Sequence, residues 1–284
     1  MAEGAALPVL RSAVGRYPHT VAALDGAVPG AALRLDDAGI KPANRAFAPM
    51  VREGRFELSE MAIATFLMAK AAAKPLVLLP VVVAERFQEA ALLCRVDGPV
   101  QGPGDLAGKR LGVRSYGQTT AMWLRGILGD GFGLRPEQVR WVCFEDAHLA
   151  EYRDPPWCER APDGADMLAM LRDGALDAVI VGNDVPSDPA LRTVFPDPDQ
   201  AGRKFLAHYG FKPVNHLLVL RADVAARPGV AAAAVSLFPE APLRGRAALE
   251  PALRVASRFC AEQGLIPREL SVGEIWEGLP PEVG

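Results

Sequence analysis

Short, wholly apolar runs alternate with amphipathic stretches along this chain, and that alternation is the strongest constraint on its fold. "PVLRSAV", "AALRLDD", "PLVLLPVVV", "EAALLCRV", "VRWVCF", "ALDAVIVGN" and "NHLLVLR" each read as a strand. Between them, "PANRAFAPMVREG" places Phe47, Met50 and Val51 on one helical face, with Gly54 as its stop. Thr119 to Leu128 and "GADMLAMLRDG" also read as helices, as does the region from Val230 to Gln263. Continuously apolar strands need cover on both faces, which helices packed on a sheet provide, so the pattern predicts an α/β protein. Pro80 lies inside one apolar run, lacks an N–H and marks a break, an edge or a crossing point there.

With 284 residues the chain is long enough for two domains. Its net charge of −3 argues against nucleic-acid or anionic-membrane partners. The apolar run 75–84 is too short to span a bilayer. Cys94, Cys143, Cys158 and Cys260 are scattered with no C-x-x-C pair, which predicts free thiols in a reducing compartment. The N-terminal stretch lacks a basic start followed by a long apolar core, so a cytoplasmic protein is expected.

Two phrases narrow the architecture. "GDLAGKRLGV" and "MLAMLRDGALDAVIVGN" resemble phrases of type 2 periplasmic-binding-protein folds. That resemblance implies two α/β lobes with a ligand cleft between them. The outer lobe is expected from 1–94 and 187–284, with an inserted lobe at 95–186. Asn183 and Asp184 then follow a strand at its carboxyl end, where open α/β sheets bind ligands.

Five clusters at strand ends carry the candidate chemistry. They are Tyr17, His19 and Thr20 in "RYPHT"; Ser59 and Glu60 in "ELSEMA"; and Arg86, Gln88 and Glu89 in "ERFQE". Tyr116, Gln118, Thr119 and Thr120 form the fourth in "RSYGQTT", and Asn215 and His216 the fifth in "FKPVNH". Thr119 or Thr120 can cap the helix that starts there, and a helix N-terminus also suits a carboxylate. Arg86 offers a bidentate carboxylate contact, and histidine titrates where a general acid is useful. Trp123 is expected in the core and Arg125 in a surface or interlobe ion pair. "FEDAHLAEYRDP" matches no metal-ligand spacing and reads as a solvated acidic loop, so no metal and no cofactor are expected.

In order and spacing, "RYPHTVAALDGAV", "FELSEMAIATFL", "PVVVAERFQEAAL", "RSYGQTTAMWLRGIL" and "GFKPVNHLLVL" are similar to the 4,5-dihydroxyphthalate decarboxylase family. The resemblance implies the binding-protein fold put to enzymatic use. Family members would carry His19, Glu60, Arg86, Gln88, Tyr116, Trp123, Arg125 and His216 at the matching positions. The chain departs at Glu89, where the family usually has histidine, at Glu85, where it often has a basic residue, and at Ser115, where glutamate is common. Residues and resemblance together give a cofactor-independent decarboxylase of a hydroxylated aromatic acid. Catalytic roles fall to His19, His216, Glu60 and Glu89. Thr20, Ser59, Arg86, Gln88, Tyr116, Gln118, Thr119, Thr120, Asn183 and Asn215 are expected to hold a small aromatic or other carboxylate. A non-catalytic small-anion-binding protein is the alternative, favoured by the change at Glu89. A homo-oligomer is compatible with either.

Overall fold

The apolar runs pair into two separate sheets. The computed structural model describes residues 7–284, so residues 1–6, part of the stretch read for a leader, lie outside the described residues. One unit comprises the chain up to Glu85, then Val214–Arg254 and Leu270–Gly284; the other comprises Arg86–Pro213 and Val255–Glu269.

The first unit holds β1 (Val9–Ala13), β2 (Arg34–Asp37), β3 (Leu58–Ala62) and β4 (Leu76–Glu85), joined late in the chain by β11 (Val214–Arg221) and β12 (Leu243–Arg244). Their order is β12-β4-β11-β3-β1-β2. β1 runs parallel to β2 and β3, whereas β11 is antiparallel to both of its neighbours, β3 and β4. As a result, β11 starts at the edge where β1, β3 and β4 end. Near its start, His216 therefore lies between Ala62 of β3 and Ala84 of β4. The helices α1 (Val21–Leu24), α2 (Phe47–Glu53) and α3 (Ile63–Ala71) follow β1, precede β3 and follow β3 respectively. α2 buries Phe47, Met50 and Val51 and stops at Gly54 (φ 59°), in the left-handed conformation that favours glycine.

Pro80 does not end its strand. Leu217 pairs with Val82 and Leu218 with Leu79, so the ladder steps over Pro80 and Val81. A bulge at that point leaves the missing N–H without a jilted acceptor. The Pro80 carbonyl still accepts from the Gly245 N–H at 3.0 Å.

The second unit contains β5 (Leu92–Arg95), β6 (Arg110–Val113), β7 (Arg140–Cys143), β8 (Cys158–Arg160), β9 (Ala178–Ile180) and β10 (Leu191–Thr193), in the order β10-β5-β9-β6-β7-β8. α4 (Thr119–Phe132), α5 (Met167–Arg172) and α6 (Pro198–Tyr209) belong to it, while α7 (Ala222–Ala225), α8 (Val230–Ser236) and α10 (Val272–Trp276) belong to the first unit. α9 (Arg246–Glu262) supplies residues to both.

The boundaries expected at 95 and 186 fall elsewhere. β5 is antiparallel to β9 and β10, so its ladder draws 86–94 and 187–213 into the second unit. The Gly/Pro-rich segment at 98–104 is a loop inside that unit. β8 and β10 also went unread, the first within a segment expected as loop and the second within one expected as helix; each is three residues long. Among the described residues, no helix is long and apolar enough to cross a membrane.

In the second unit α4 packs closely against the end of α9. A Cβ added at Gly126 would lie 2.1 Å from the Phe259 ring. That ring also packs edge-on against Trp123, which is fully buried as expected. Gly126→Ala should therefore destabilise the chain by about 1–3 kcal/mol through overpacking, although alanine is the better helix former. Urea denaturation with an unchanged midpoint would show that the Phe259 ring yields freely.

Candidate functional site

In the first unit, candidate side chains converge on one carboxylate. Glu60 projects from β3, and its cross-strand partner is Leu218, two residues beyond His216 on the same face. That diagonal relation lets long side chains meet. The Glu60 side chain is wholly buried, and His216 Nδ1 lies 2.6 Å from its Oε1. The Tyr17 hydroxyl donates to the same oxygen at 2.8 Å, and the Gly15 N–H donates to Oε2 at 2.7 Å.

The loop after β1 is built to deliver those two donors. Thr20 Oγ1 donates to the Gly15 carbonyl at 2.6 Å and accepts from the Tyr17 N–H at 2.8 Å. Ser59 donates to the Glu60 carbonyl at 2.8 Å. Both hydroxyls, expected to touch a ligand, are thus bonded to the backbone that shapes the loop and strand. Gly15 was not singled out in the sequence, yet a Cβ there would sit 2.6 Å from the Tyr17 ring. A small residue two positions before the tyrosine is the only signal for it.

Two aromatic contacts orient the histidines. Phe47 meets the His216 ring edge-on at 5.1 Å, and the Tyr17 ring stacks on His19 at 5.4 Å and 13°. His19 Nε2 lies 2.9 Å from the Val83 carbonyl oxygen. Asn215 is buried beside His216.

Burial alone would raise the Glu60 carboxyl, but the hydrogen bond and charge of His216, helped by Gly15 and Tyr17, hold it below the ordinary carboxylate value. Glu60 is therefore an anion, and His216 Nδ1 must be the donor. The Tyr17 phenol is pushed upward by burial and by the neighbouring Glu60 charge, so it stays protonated.

The second unit holds the other candidates. Arg86 Nη2 donates to Thr120 Oγ1 and to the Gly182 carbonyl, both at 3.2 Å. Its Nε is buried without a partner, and no carboxylate among the described residues pairs with the guanidinium. Burial lowers its pKa from the usual value. Asn183 adjoins Gly182 and is exposed. Gln88 Nε2 donates to the Arg86 carbonyl at 2.6 Å. Glu89 is wholly buried; its Oε2 accepts from the Gln88 N–H at 2.8 Å, and its Oε1 has no partner. Burial raises this carboxyl, against the smaller opposing effect of backbone hydrogen bonds.

Three expectations for α4 need correction. Its N-cap is Gln118, without a side-chain bond, so Thr119 and Thr120 are the first helical residues and neither caps the helix. A capping side chain must stand outside the first turn. Thr120 faces Arg86 instead, and Gln118 Oε1 is buried without a partner. Tyr116 is fully buried: its hydroxyl donates to the Gln263 carbonyl at 3.2 Å and accepts from Trp157 Nε1 at 3.0 Å. Arg125 is not at the surface. It lies 3.9 Å from the centre of the Tyr116 ring and donates to Gln263 Oε1 at 2.6 Å and to the Tyr116 carbonyl at 2.7 Å. Gln263 is 138 residues away in sequence, so no local pattern announces that contact.

In the acidic segment read as a loop, Asp146 pairs with Arg160 at 2.8 Å. Among the described residues, no three His, Cys, Asp or Glu side chains gather as metal ligands.

Known proteins resemble this chain in two respects. It is 26% identical over 295 residues to a 4,5-dihydroxyphthalate decarboxylase of Comamonas testosteroni, covering 94% of this chain and 85% of that one. A 4,5-dihydroxyphthalate decarboxylase of Pseudomonas putida is 28% identical over 211 residues, covering 68% and 79%. In backbone, the chain matches the periplasmic aliphatic sulphonate binding protein SsuA of Escherichia coli with a TM-score of 0.54 at 15% identity, over 97% of this chain and 85% of that one. The alkanesulfonate-binding protein SsuA of Xanthomonas axonopodis pv. citri bound to MOPS matches with 0.53 at 16% identity, over 98% and 86%. This is a type 2 periplasmic-binding-protein-like α/β fold. No protein-family model matches the chain.

The carboxylate of Glu60 yields a stability prediction. Because its folded-state pKa is depressed, it stabilises the fold above the ordinary carboxylate range, and this contribution is lost as pH falls through and below that range. Glu60→Gln should lower the unfolding free energy at neutral pH by about 2 kcal/mol, in the range for hydrogen bonds to charged groups. The gap between variant and wild type should close on acidification. Urea titrations at several pH values test both statements, and a gap independent of pH would mean that Glu60 is not an anion in the fold.

Proposed function

We propose that this chain is a cofactor-independent carboxy-lyase that removes CO2 from a hydroxylated aromatic acid of the 4,5-dihydroxyphthalate kind. One observation carries the reading: a buried carboxylate bonded to a histidine whose other ring nitrogen has no partner among the described residues. Burying a charge is costly unless donors compensate it, and Glu60 is given three. The result is an imidazole fixed by Nδ1 that presents Nε2 for proton transfer, as an oriented general acid requires. Similarity to the two decarboxylases over most of the chain supports the same reading.

The chemistry needs a proton delivered to the ring carbon that bears the carboxylate. Once that carbon is protonated, the bond to CO2 breaks and its electron pair restores the aromatic ring. His216 Nε2 is the proposed donor, with Glu60 stabilising its charged form. Within the second unit, taken by itself, Arg86 is the proposed carboxylate seat, as a half-buried guanidinium with no anionic partner among the described residues, beside the start of a 14-residue helix. Burial raises the Glu89 carboxyl, which disfavours a second negative charge there.

A second reading, a solute-binding protein without chemistry, is favoured by the backbone likeness to the sulphonate-binding proteins. Turnover separates the two. His216→Asn should leave affinity for 4,5-dihydroxyphthalate within a few-fold while kcat for CO2 release falls by about 100- to 10,000-fold. If the wild type binds this acid and releases no CO2, the binding reading replaces the enzymatic one.

Arg86→Ala tests the seat apart from the chemistry. Affinity should drop by about 2–4 kcal/mol in calorimetry, as expected for a desolvated carboxylate losing its guanidinium. Unchanged affinity would remove Arg86 from the ligand's reach.

A further inference from the structure

The two histidines of the first unit are held by opposite ring nitrogens. His216 is held through Nδ1, which donates to Glu60. His19 is held through Nε2 against the Val83 carbonyl oxygen. A carbonyl has no proton to give, so Nε2 must carry one, and Nδ1 of neutral His19 is then a lone-pair acceptor. Nδ1 has no partner among the described residues and is not sealed from solvent, since His19 is only half-buried. Tyr17 ties this ring to the dyad: its ring stacks on His19 while its hydroxyl bonds to the same Glu60 oxygen that His216 meets. One cluster therefore offers an acceptor at His19 and, at His216, a nitrogen able to donate.

We infer that His19 is the hydroxyl-reading residue of the reaction, taking the proton of a ring hydroxyl para to the departing carboxylate. The inference rests on the decarboxylase reading above. In the first step His19 Nδ1 takes the hydroxyl proton while protonated His216 Nε2 gives its proton to the ring carbon bearing the carboxylate. The oxygen becomes a carbonyl and the ring a dienone. The carbon–carboxylate bond then breaks, CO2 leaves, and the bonding pair returns to the ring as the oxygen recovers its proton from His19. The net proton consumed is the one His216 delivered, which solvent replaces. A ligand lacking that hydroxyl leaves His19 Nδ1 without a donor and has no path to the dienone.

The test compares 4,5-dihydroxyphthalate with phthalate. Wild type should bind the hydroxylated acid about tenfold more tightly, the worth of roughly one good hydrogen bond. His19→Phe, which keeps a ring to stack on Tyr17, should bind phthalate as wild type does, lose the preference for the hydroxylated acid and lose CO2 release by at least about 100-fold. A His19→Phe variant that keeps the preference while wild type releases CO2 overturns the role of His19 and leaves the decarboxylase reading standing. Wild type that binds neither acid and releases no CO2 ends both together. Nitrogen-15 shifts of the wild-type imidazoles give a check that needs no variant and no ligand. Neutral His19 should carry its proton on Nε2, and a proton found on Nδ1 overturns the inference.

Discussion

The first unit depends on a negative charge kept where water cannot reach it. Glu60 contributes nothing to the surface, and an uncompensated carboxylate in that position would cost several kcal/mol. Three donors from two chain segments offset that cost: a backbone N–H and a phenol from the loop after β1, and an imidazole from β11. Each donor needs its own local arrangement, from the glycine that makes room for Tyr17 to the Thr20 bonds that close the loop. The carboxylate thus fixes the mutual positions of parts that share no sequence neighbourhood, and a solvent-exposed acid could not impose that order.

The second unit shows the reverse condition. Among the described residues Arg86 is a cation without an anion, supported by a hydroxyl and a carbonyl that soften its desolvation but do not neutralise it. Buried atoms without partners on Arg86, Glu89 and Gln118 belong to the same stretch of chain or to the adjoining helix start. Native interiors tolerate few such atoms, so their accumulation marks a place where structure is held ready for something other than itself. Arg125 in the same unit is buried more deeply than Arg86 and also keeps one partnerless atom, its Nη1, but the rest of its guanidinium is taken up. A glutamine, a carbonyl and two aromatic faces occupy it, and it acts as a piece of the core.

Much of this was legible in the residues, and the reasons for success and failure are physical. Apolar runs betray buried strands because covered sheets demand them, and Gly54 betrays a helix end because few other residues take its φ angle. His19, Glu60 and His216 could be nominated because strand ends in open sheets collect polar side chains. What remained hidden depended on partners far away. Arg125 reads as a surface cation until Gln263 arrives from the end of another helix, and Tyr116 reads as a loop phenol until Trp157 covers it. The expected boundary at 95 failed because β5 joins a sheet through antiparallel pairing, and no composition change marks such a choice.

The placement of β11 has a consequence for how the chain is made. It lies between β3 and β4, which are complete by Glu85, yet its own residues begin at Val214. During synthesis the first sheet must wait with an open middle while 128 intervening residues of another unit emerge. β3 and β4 have no ladder to each other in the finished fold, so a nascent chain that let them pair early would have to undo that pairing. Glu60 is likewise without its imidazole throughout this interval. An acid in the ordinary titration range favours neither closure nor burial, so the charge that organises the finished unit can act only once β11 is in place.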